Sequence, residues 1–129
     1  MTFDAIGIAG TGLTLHRKWL DAISDNLANA NNATRTSDAA FQARYIVAQA
    51  GEGTSGAYVA GVAYGDPQGV IVNDPNNPLA DADGNVRYPD VDMGEQMGEL
   101  IMAQRGYQAN AAVVDRAKTT YEAALQIGR

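Results

Sequence analysis

The sequence predicts a mainly α-helical protein with a small β-rich insert, whose N- and C-terminal helices pair as an elongated, coiled-coil-like hairpin. Apolar residues recur at alternating three- and four-residue intervals near both ends, which is typical of helices that pack along a narrow stripe. Between these ends, β-branched and aromatic residues mix with glycines and prolines, which indicates short strands and turns. This α+β order divides the chain into an N-terminal helix (1–32), a middle segment (33–90) and a C-terminal helix (91–129).

The first helix is predicted from a stripe of residues that are apolar apart from one histidine. The stripe consists of Ile6, Ala9, Leu13, His16, Leu20, Ile23, Leu27 and Ala30. Thr2 is placed to cap the helix and Asp4 to complement its dipole. Gly7, Gly10 and Gly12 each lower the helix propensity by about 1 kcal/mol relative to alanine. We therefore expect this helix to need a packing partner, and the glycines to permit close approach of that partner.

The last helix carries a second stripe with the same spacing. Its positions are Met93, Met97, Leu100, Gln104, Tyr107, Ala111, Val114, Lys118, Tyr121 and Leu125. Asp92 and Glu95 resemble a capping box at the helix start, and Gly128 stands where a C-terminal cap is expected. A helix over 92–127 would be roughly 50 Å long at 1.5 Å per residue. The two stripes are expected to pack on each other and on copies of the chain.

The middle segment is predicted to contain three strands and an ordered loop. The strand segments are "FQARYIVAQ" (41–49), "GAYVAGVAYG" (56–65) and "GVIVND" (69–74). Residues 52–56 read as a hairpin connection between the first two strands. The Pro- and Asp-rich stretch 74–90 is predicted to be a loop with a turn at Asp83-Gly84.

Composition excludes several classes of function. The net charge of −6 argues against nucleic acid or an anionic membrane as partner, because both attract basic surfaces. No cysteine is present, so neither a disulfide framework nor thiolate chemistry is expected. No apolar run is long enough to cross a bilayer, and the N-terminus lacks the pattern of a cleaved signal peptide. Because alanine supplies much of the hydrophobic fraction, the core should be thin and association should stabilise it.

Four local motifs are interpreted as structural rather than chemical. "GIAGTG" (7–12) lacks the preceding strand of a dinucleotide-binding loop, and "DADGN" (81–85) lacks the glycine and glutamate positions of a calcium loop. The glycosylation sequon at Asn32 is incidental without a signal peptide. His16, a lone histidine on a helix stripe, is structural; it could set register or sense pH, but no nucleophile, second base or metal-ligand set accompanies it. We predict no catalytic, cofactor-binding or metal site, no small-molecule substrate and no enzymatic activity.

Two stretches resemble the signatures of a known family. "LDAISDNLANANNATR" (20–35) is similar to the N-terminal signature of flagellar rod and hook proteins, an amphipathic helix ending in Asn-Leu-Ala-Asn. "LIMAQRGYQANAAVVDRAKTTYEAALQIG" (100–128) resembles their C-terminal signature, which contains Arg-x-Tyr-x-Ala-Asn. In this chain the motif residues are Arg105, Tyr107, Ala109 and Asn110. With "NPLADADGNVRYPDVD" (77–92), the similarity covers nearly the whole chain and is greatest to proximal rod proteins of the flagellar basal body.

The resemblance implies a structural subunit that the flagellar type III apparatus exports unfolded, without a cleaved signal peptide. It implies helical assembly with copies of itself and other rod proteins, forming the drive shaft that transmits motor torque to the hook within the cell envelope or periplasm. The residues expected at assembly interfaces are Ile6, Leu13, Leu20, Ile23, Asn26, Leu27, Asn29, Met97, Leu100, Arg105, Tyr107, Ala109, Asn110, Val114 and Tyr121. The amides of Asn26 and Asn29 are expected to bond backbone or a neighbouring chain and so favour one register. The alternative is a small soluble helical-hairpin protein that acts as a binding module or adaptor.

Overall fold

The computed structural model describes residues 2–128, with the side chains of 3–128. The cap predicted at Thr2 depends on a side chain outside this description. The elements in chain order are α1 (Thr2–Asn29), β1 (Arg44–Ala50), β2 (Ala57–Tyr64), β3 (Val70–Asn73), β4 (Asn85–Tyr88) and α2 (Met93–Ile127). The predicted order of helix, β-rich insert and helix is confirmed.

The described residues fall into two compact units. Unit 1 holds residues 2–20, 46–61 and 100–128, and unit 2 holds residues 21–45 and 62–99. Each unit draws residues from both helices and from the insert, so α1 packs against α2 within each of them. The buried apolar side chains are mostly alanines, which agrees with the thin core expected from composition.

In unit 2, strands β3 and β4 form an antiparallel pair that also binds the segment after α1. Val72 lies opposite Val86, which is fully buried. On the other edge of β4, the Thr34 amide donates to the Arg87 carbonyl at 2.8 Å, and the Arg87 amide returns a bond to the Thr34 carbonyl at 2.9 Å. Strand β4 therefore has pairing partners on both edges.

Strand β4 corrects the prediction that residues 74–90 form a loop without a strand. Only four residues separate Gly84 from Pro89, which is too short a run of β-forming residues to predict a strand from the sequence. The strand is stabilised by its pairing with β3 and Thr34, which are distant in sequence. The turn predicted at Asp83-Gly84 is confirmed, since Gly84 adopts a left-handed conformation with φ of 78°.

Strands β1 and β2 form a second two-stranded sheet, joined by the hairpin connection predicted at 52–56. The Gly51 amide donates to the Gly56 carbonyl at 2.7 Å and closes this connection. Gly53 and Gly56 have φ of 60° and 77°, a conformation that L side chains rarely adopt. A connection this short joins only antiparallel strands.

The predicted start of α2 is also confirmed. Asp92 Oδ1 accepts the Glu95 amide at 2.9 Å, which satisfies one of the free N–H groups of the first turn. At the other end, the Gly128 amide donates to the Ala124 carbonyl at 3.3 Å directly after the last helical residue. Helix α1 ends at Asn29, whose carbonyl accepts the Asn32 amide at 3.0 Å.

Candidate assembly interface

The stripe predicted on α1 forms the inner face of this helix. Ile23 and Asn26 are each 1% exposed. The other predicted interface residues of α1 are half-buried: Ile6, Leu13, Leu20, Leu27 and Asn29. The periodicity of the first helix therefore identified the correct face.

On α2 the inner face lies one residue earlier than the predicted stripe. Gln96 is buried where Met97 was predicted, and Ala103 is buried where Gln104 was predicted. Met97 is 47% exposed, and Arg105, Tyr107, Ala109 and Tyr121 are also exposed. Leu100, Asn110 and Val114 are half-buried. Small residues such as Ala103 allow α2 to approach its neighbours, whereas the prediction selected the bulkier side chains.

In unit 1, two glycines and two polar side chains fit together reciprocally between α1 and α2. An added Cβ on Gly12 would lie 2.6 Å from Asn110 Cγ, and one on Gly106 would overlap His16 at Nε2 and Cδ2. Each polar side chain thus occupies space that a glycine of the opposite helix leaves open. We call Gly12, His16, Gly106 and Asn110 the reciprocal cluster.

Hydrogen bonds to the helix backbone orient both polar members of the reciprocal cluster. His16 Nδ1 lies 2.7 Å from the Gly12 carbonyl, an acceptor, so Nδ1 carries the proton. Asn110 Nδ2 donates to the Gly106 carbonyl at 2.8 Å. Because His16 is held by its own helix, sliding α1 along α2 by one turn would drive its ring into residues 102–105 or 107–110 of α2, which contain no glycine.

The glycine prediction for α1 is confirmed at Gly12, which faces a side chain of α2. Gly12 faces Asn110, but an added Cβ on Gly7 or Gly10 would meet nothing within 4 Å. Gly106 was not identified from the sequence. Its signal was present, because a glycine inside a helix costs about 1 kcal/mol and usually has a packing reason.

In unit 2, Asn26 connects α1 to both β1 and α2. Its Oδ1 accepts the Arg44 amide at 2.8 Å, and its Nδ2 donates to the Arg44 carbonyl at 2.9 Å and to Gln96 Oε1 at 3.0 Å. The side-chain amide thus pairs with the first residue of β1 as a neighbouring strand would. Because Gln96 is 70 residues away and 1% exposed, no local pattern revealed this partner.

The second asparagine of the α1 signature bonds its own helix. Asn29 Nδ2 donates to the Asp25 carbonyl, one turn earlier in α1, at 2.9 Å. The Asp25 carboxylate forms an ion pair with Arg44, whose side chain is 43% exposed. Both asparagines therefore bond backbone within the chain, and Asn26 alone bridges separate elements.

The described surface carries many exposed large apolar side chains. Those on α2 are Met93, Met97, Ile101, Met102, Tyr107, Val113, Tyr121, Leu125 and Ile127. Those elsewhere are Phe3, Ile8, Val47, Tyr58, Val62, Tyr64, Val70, Ile71 and Val72. Arg105 is the one charged residue between positions 100 and 114. A helix that is apolar on several faces is normally buried, so α2 exposes more apolar surface than is usual for a helix in contact with water.

Across residues 2–128, no group of three or more His, Asp or Glu side chains is arranged to hold a metal ion. Within the same part of the chain, neither helix is both long enough and apolar enough to cross a membrane.

Comparisons with known proteins agree with the resemblance at both ends of the chain. A family model described as the C-terminal region of flagellar basal body rod FlgEFG proteins matches residues 82–127. The flagellar basal-body rod protein FlgC of Salmonella typhimurium is 36% identical, with coverage of 95% of this chain and 94% of the relative. Proteins of the same name from Borreliella burgdorferi and Bacillus subtilis are 29% and 26% identical, and each alignment covers at least 96% of both chains.

Proposed function

The chain belongs to the FlgC family of flagellar basal-body rod proteins and is a structural subunit of the rod, and we propose that it assembles helically through its terminal helices. The rod lies in the flagellar basal body, which places the subunit there. The alternative of a small adaptor is not favoured, because the similarity extends over 95% of the chain. Its expected neighbours are further copies and other rod proteins.

The observation that carries this proposal is the uncovered apolar surface of α2. Met102 and Val113, on one side of the helix, are 62% and 45% exposed, and Met97, on another side, is 47% exposed. At about 25 cal/mol per Å² of apolar surface removed from water, covering such side chains strongly favours association. A thin core adds to this preference, because contacts between chains replace the burial that one chain lacks.

Transmission of torque requires the helices of a subunit to keep their register. The reciprocal cluster opposes axial sliding in unit 1, because a displaced His16 side chain would meet turns of α2 that have no glycine. Asn26 opposes sliding in unit 2 through its bonds to Arg44 and Gln96. These contacts support a role as part of a drive shaft that connects the motor to the hook.

We propose that the flagellar type III apparatus exports the chain to the cell envelope in an unfolded state. A thin core and the absence of cysteine support it. A chain with little buried volume unfolds at low cost, and no disulfide would have to be reduced before threading.

Incorporation into basal bodies tests this function. In a strain that lacks its own copy of the gene, the wild-type chain should restore swimming and be detected in purified basal bodies. Met97→Asp should fold like the wild type, because the side chain is 47% exposed, yet fail to enter the rod. Met97→Leu, which keeps an apolar side chain of similar volume, is the matched control. Wild-type incorporation of Met97→Asp would contradict assembly through this face.

A further inference from the structure

Charge is distributed unequally between the two units. Unit 2 contains eleven Asp and Glu residues against three Arg residues, a net charge of −8. The described part of unit 1 contains four acidic residues against five Arg and Lys residues, a net charge of +1. The overall charge of −6 therefore conceals an acidic unit and a weakly basic one.

The exposed side of α2 in unit 1 carries part of this positive charge beside apolar residues. Met102, Arg105, Ala109, Val113 and Arg116 follow one another at intervals of three, four, four and three residues. This spacing places them along one line of the helix, and all five are exposed. We call them the outer stripe. Neither carboxylate of this part of α2, Asp115 or Glu122, shares that line.

The surface of unit 2 combines negative charge with exposed apolar side chains. Between Arg87 and Arg105 the sequence contains no Lys or Arg. Asp90, Asp92 and Glu95 are exposed in this stretch. Burial raises the pKa of the Tyr45 hydroxyl, and the carboxylates of Glu95, Glu99 and Asp90 raise it further. The electrostatic potential around Tyr45 is therefore negative.

We propose that the outer stripe of one copy docks on the acidic unit 2 of the next copy. Arg105 and Arg116 would face carboxylates of that unit, and Met102 and Val113 would be covered between them. The proposal rests on the function stated above and names the contact between neighbouring copies. A contact between two copies of unit 2 would instead oppose two net charges of −8.

The geometry of such a contact agrees with a growing shaft. The two surfaces differ and belong to different units. A copy whose outer stripe is docked therefore still has a free acidic surface on unit 2, on which the next copy can dock. A contact of this heterologous kind continues from copy to copy and does not close on itself unless the rotation returns to its start. Exposed charge pairs also weaken as salt screens them, so the contact should depend on ionic strength.

Charge reversal in the full-length chain tests the proposal. One variant is Arg105→Glu with Arg116→Glu, and the other is Asp90→Lys with Glu95→Lys. Each alone should lower the amount of chain in purified basal bodies at least tenfold, as measured by quantitative mass spectrometry. A chain with all four changes should recover to within about twofold of the wild type, because both surfaces have changed sign together. The matched control is Lys118→Glu with Glu122→Lys, an exposed pair at 3.9 Å on another line of α2.

Co-expression adds a second measurement. The two reversed variants complement each other at both contacts, so together they should enter basal bodies in nearly equal amounts although neither does so alone. Circular dichroism of the purified variants should match the wild type, since the changed residues are exposed.

Two results would overturn the docking proposal. The first is reversed variants that enter basal bodies as well as the Lys118–Glu122 control. The second is a loss that neither the four-change chain nor co-expression reverses, which would make the acidic partner something other than a second copy. Absence of the wild-type chain from basal bodies would instead refute the rod function itself, so the two failures are distinguishable.

Discussion

Replacement of Gly106 by alanine measures how tightly the reciprocal cluster is packed. At an open position in a helix this change stabilises by about 1 kcal/mol, because alanine has the higher helix propensity. At Gly106 the new Cβ would overlap Nε2 and Cδ2 of His16. The imidazole is held by the bond from Nδ1 to the Gly12 carbonyl at 2.7 Å, so it cannot move aside without losing that bond.

The expected magnitude follows from three opposing contributions. Overpacking costs about 1–3 kcal/mol, and loss of the histidine hydrogen bond costs about 1 kcal/mol. The gain in helix propensity offsets about 1 kcal/mol. We therefore expect Gly106→Ala to lower the free energy of unfolding by about 1–3 kcal/mol. Gly98→Ala is the matched control on the same helix, because its added Cβ meets nothing within 4 Å, and it should raise stability by about 0.5–1 kcal/mol.

Urea unfolding followed by far-UV circular dichroism provides the measurement. Adding His16→Ala to Gly106→Ala removes the overlapping ring and should recover most of the loss, so the double-mutant cycle should show a coupling of about 1–2 kcal/mol. The reasoning is refuted if Gly106→Ala stabilises as much as Gly98→Ala, or if the two changes at the cluster are additive.

Three further predictions address unit 2. Asn26→Ala should lower the free energy of unfolding by about 2–3 kcal/mol in urea unfolding, because the Arg44 amide and carbonyl lose their buried partner; a loss under about 0.5 kcal/mol would contradict this. Asn29→Ala should change stability by less than about 0.5 kcal/mol, since a bond within one turn of its own helix is exchanged for better propensity; reduced entry into basal bodies at unchanged stability would assign its amide to an interface. The Asp81 carboxylate accepts the Asn85 amide and the Thr36 hydroxyl, which hold its pKa below the ordinary value. The stability that this carboxylate contributes is therefore present above its unfolded pKa and is lost as the pH falls through the folded pKa. The melting temperature should fall less on acidification in Asp81→Asn than in the wild type. Equal falls would argue against this role of Asp81.

Residue patterns within one element determined much of the fold. The stripe of α1, the start of α2 at Asp92 and the turn at Asp83-Gly84 all depend on helix periodicity, a capping bond or a left-handed glycine. These features involve residues only a few positions apart, so local chemistry specifies them without knowledge of the rest of the chain. The family resemblance rested on the same two helical ends.

Packing between residues distant in sequence determines the inner face of α2, the partner of Asn26 and strand β4, which the sequence pattern misplaced or missed. An α2 helix that is apolar on several sides has no single stripe, so hydrophobicity alone chose Met97 and Tyr107 over the smaller Ala103 and Gly106.

The bond between Asn26 and Gln96 joins residues 70 positions apart. Strand β4 exists because β3 and Thr34 pair with its two edges. By itself the sequence determined where α2 begins and which face of α1 is buried, because those depend on neighbours along the chain. Only the tertiary structure decided which face of α2 is left for other molecules, because the choice of face depends on how closely α1 and α2 approach each other. Glycine and alanine set that approach, rather than the largest apolar side chains.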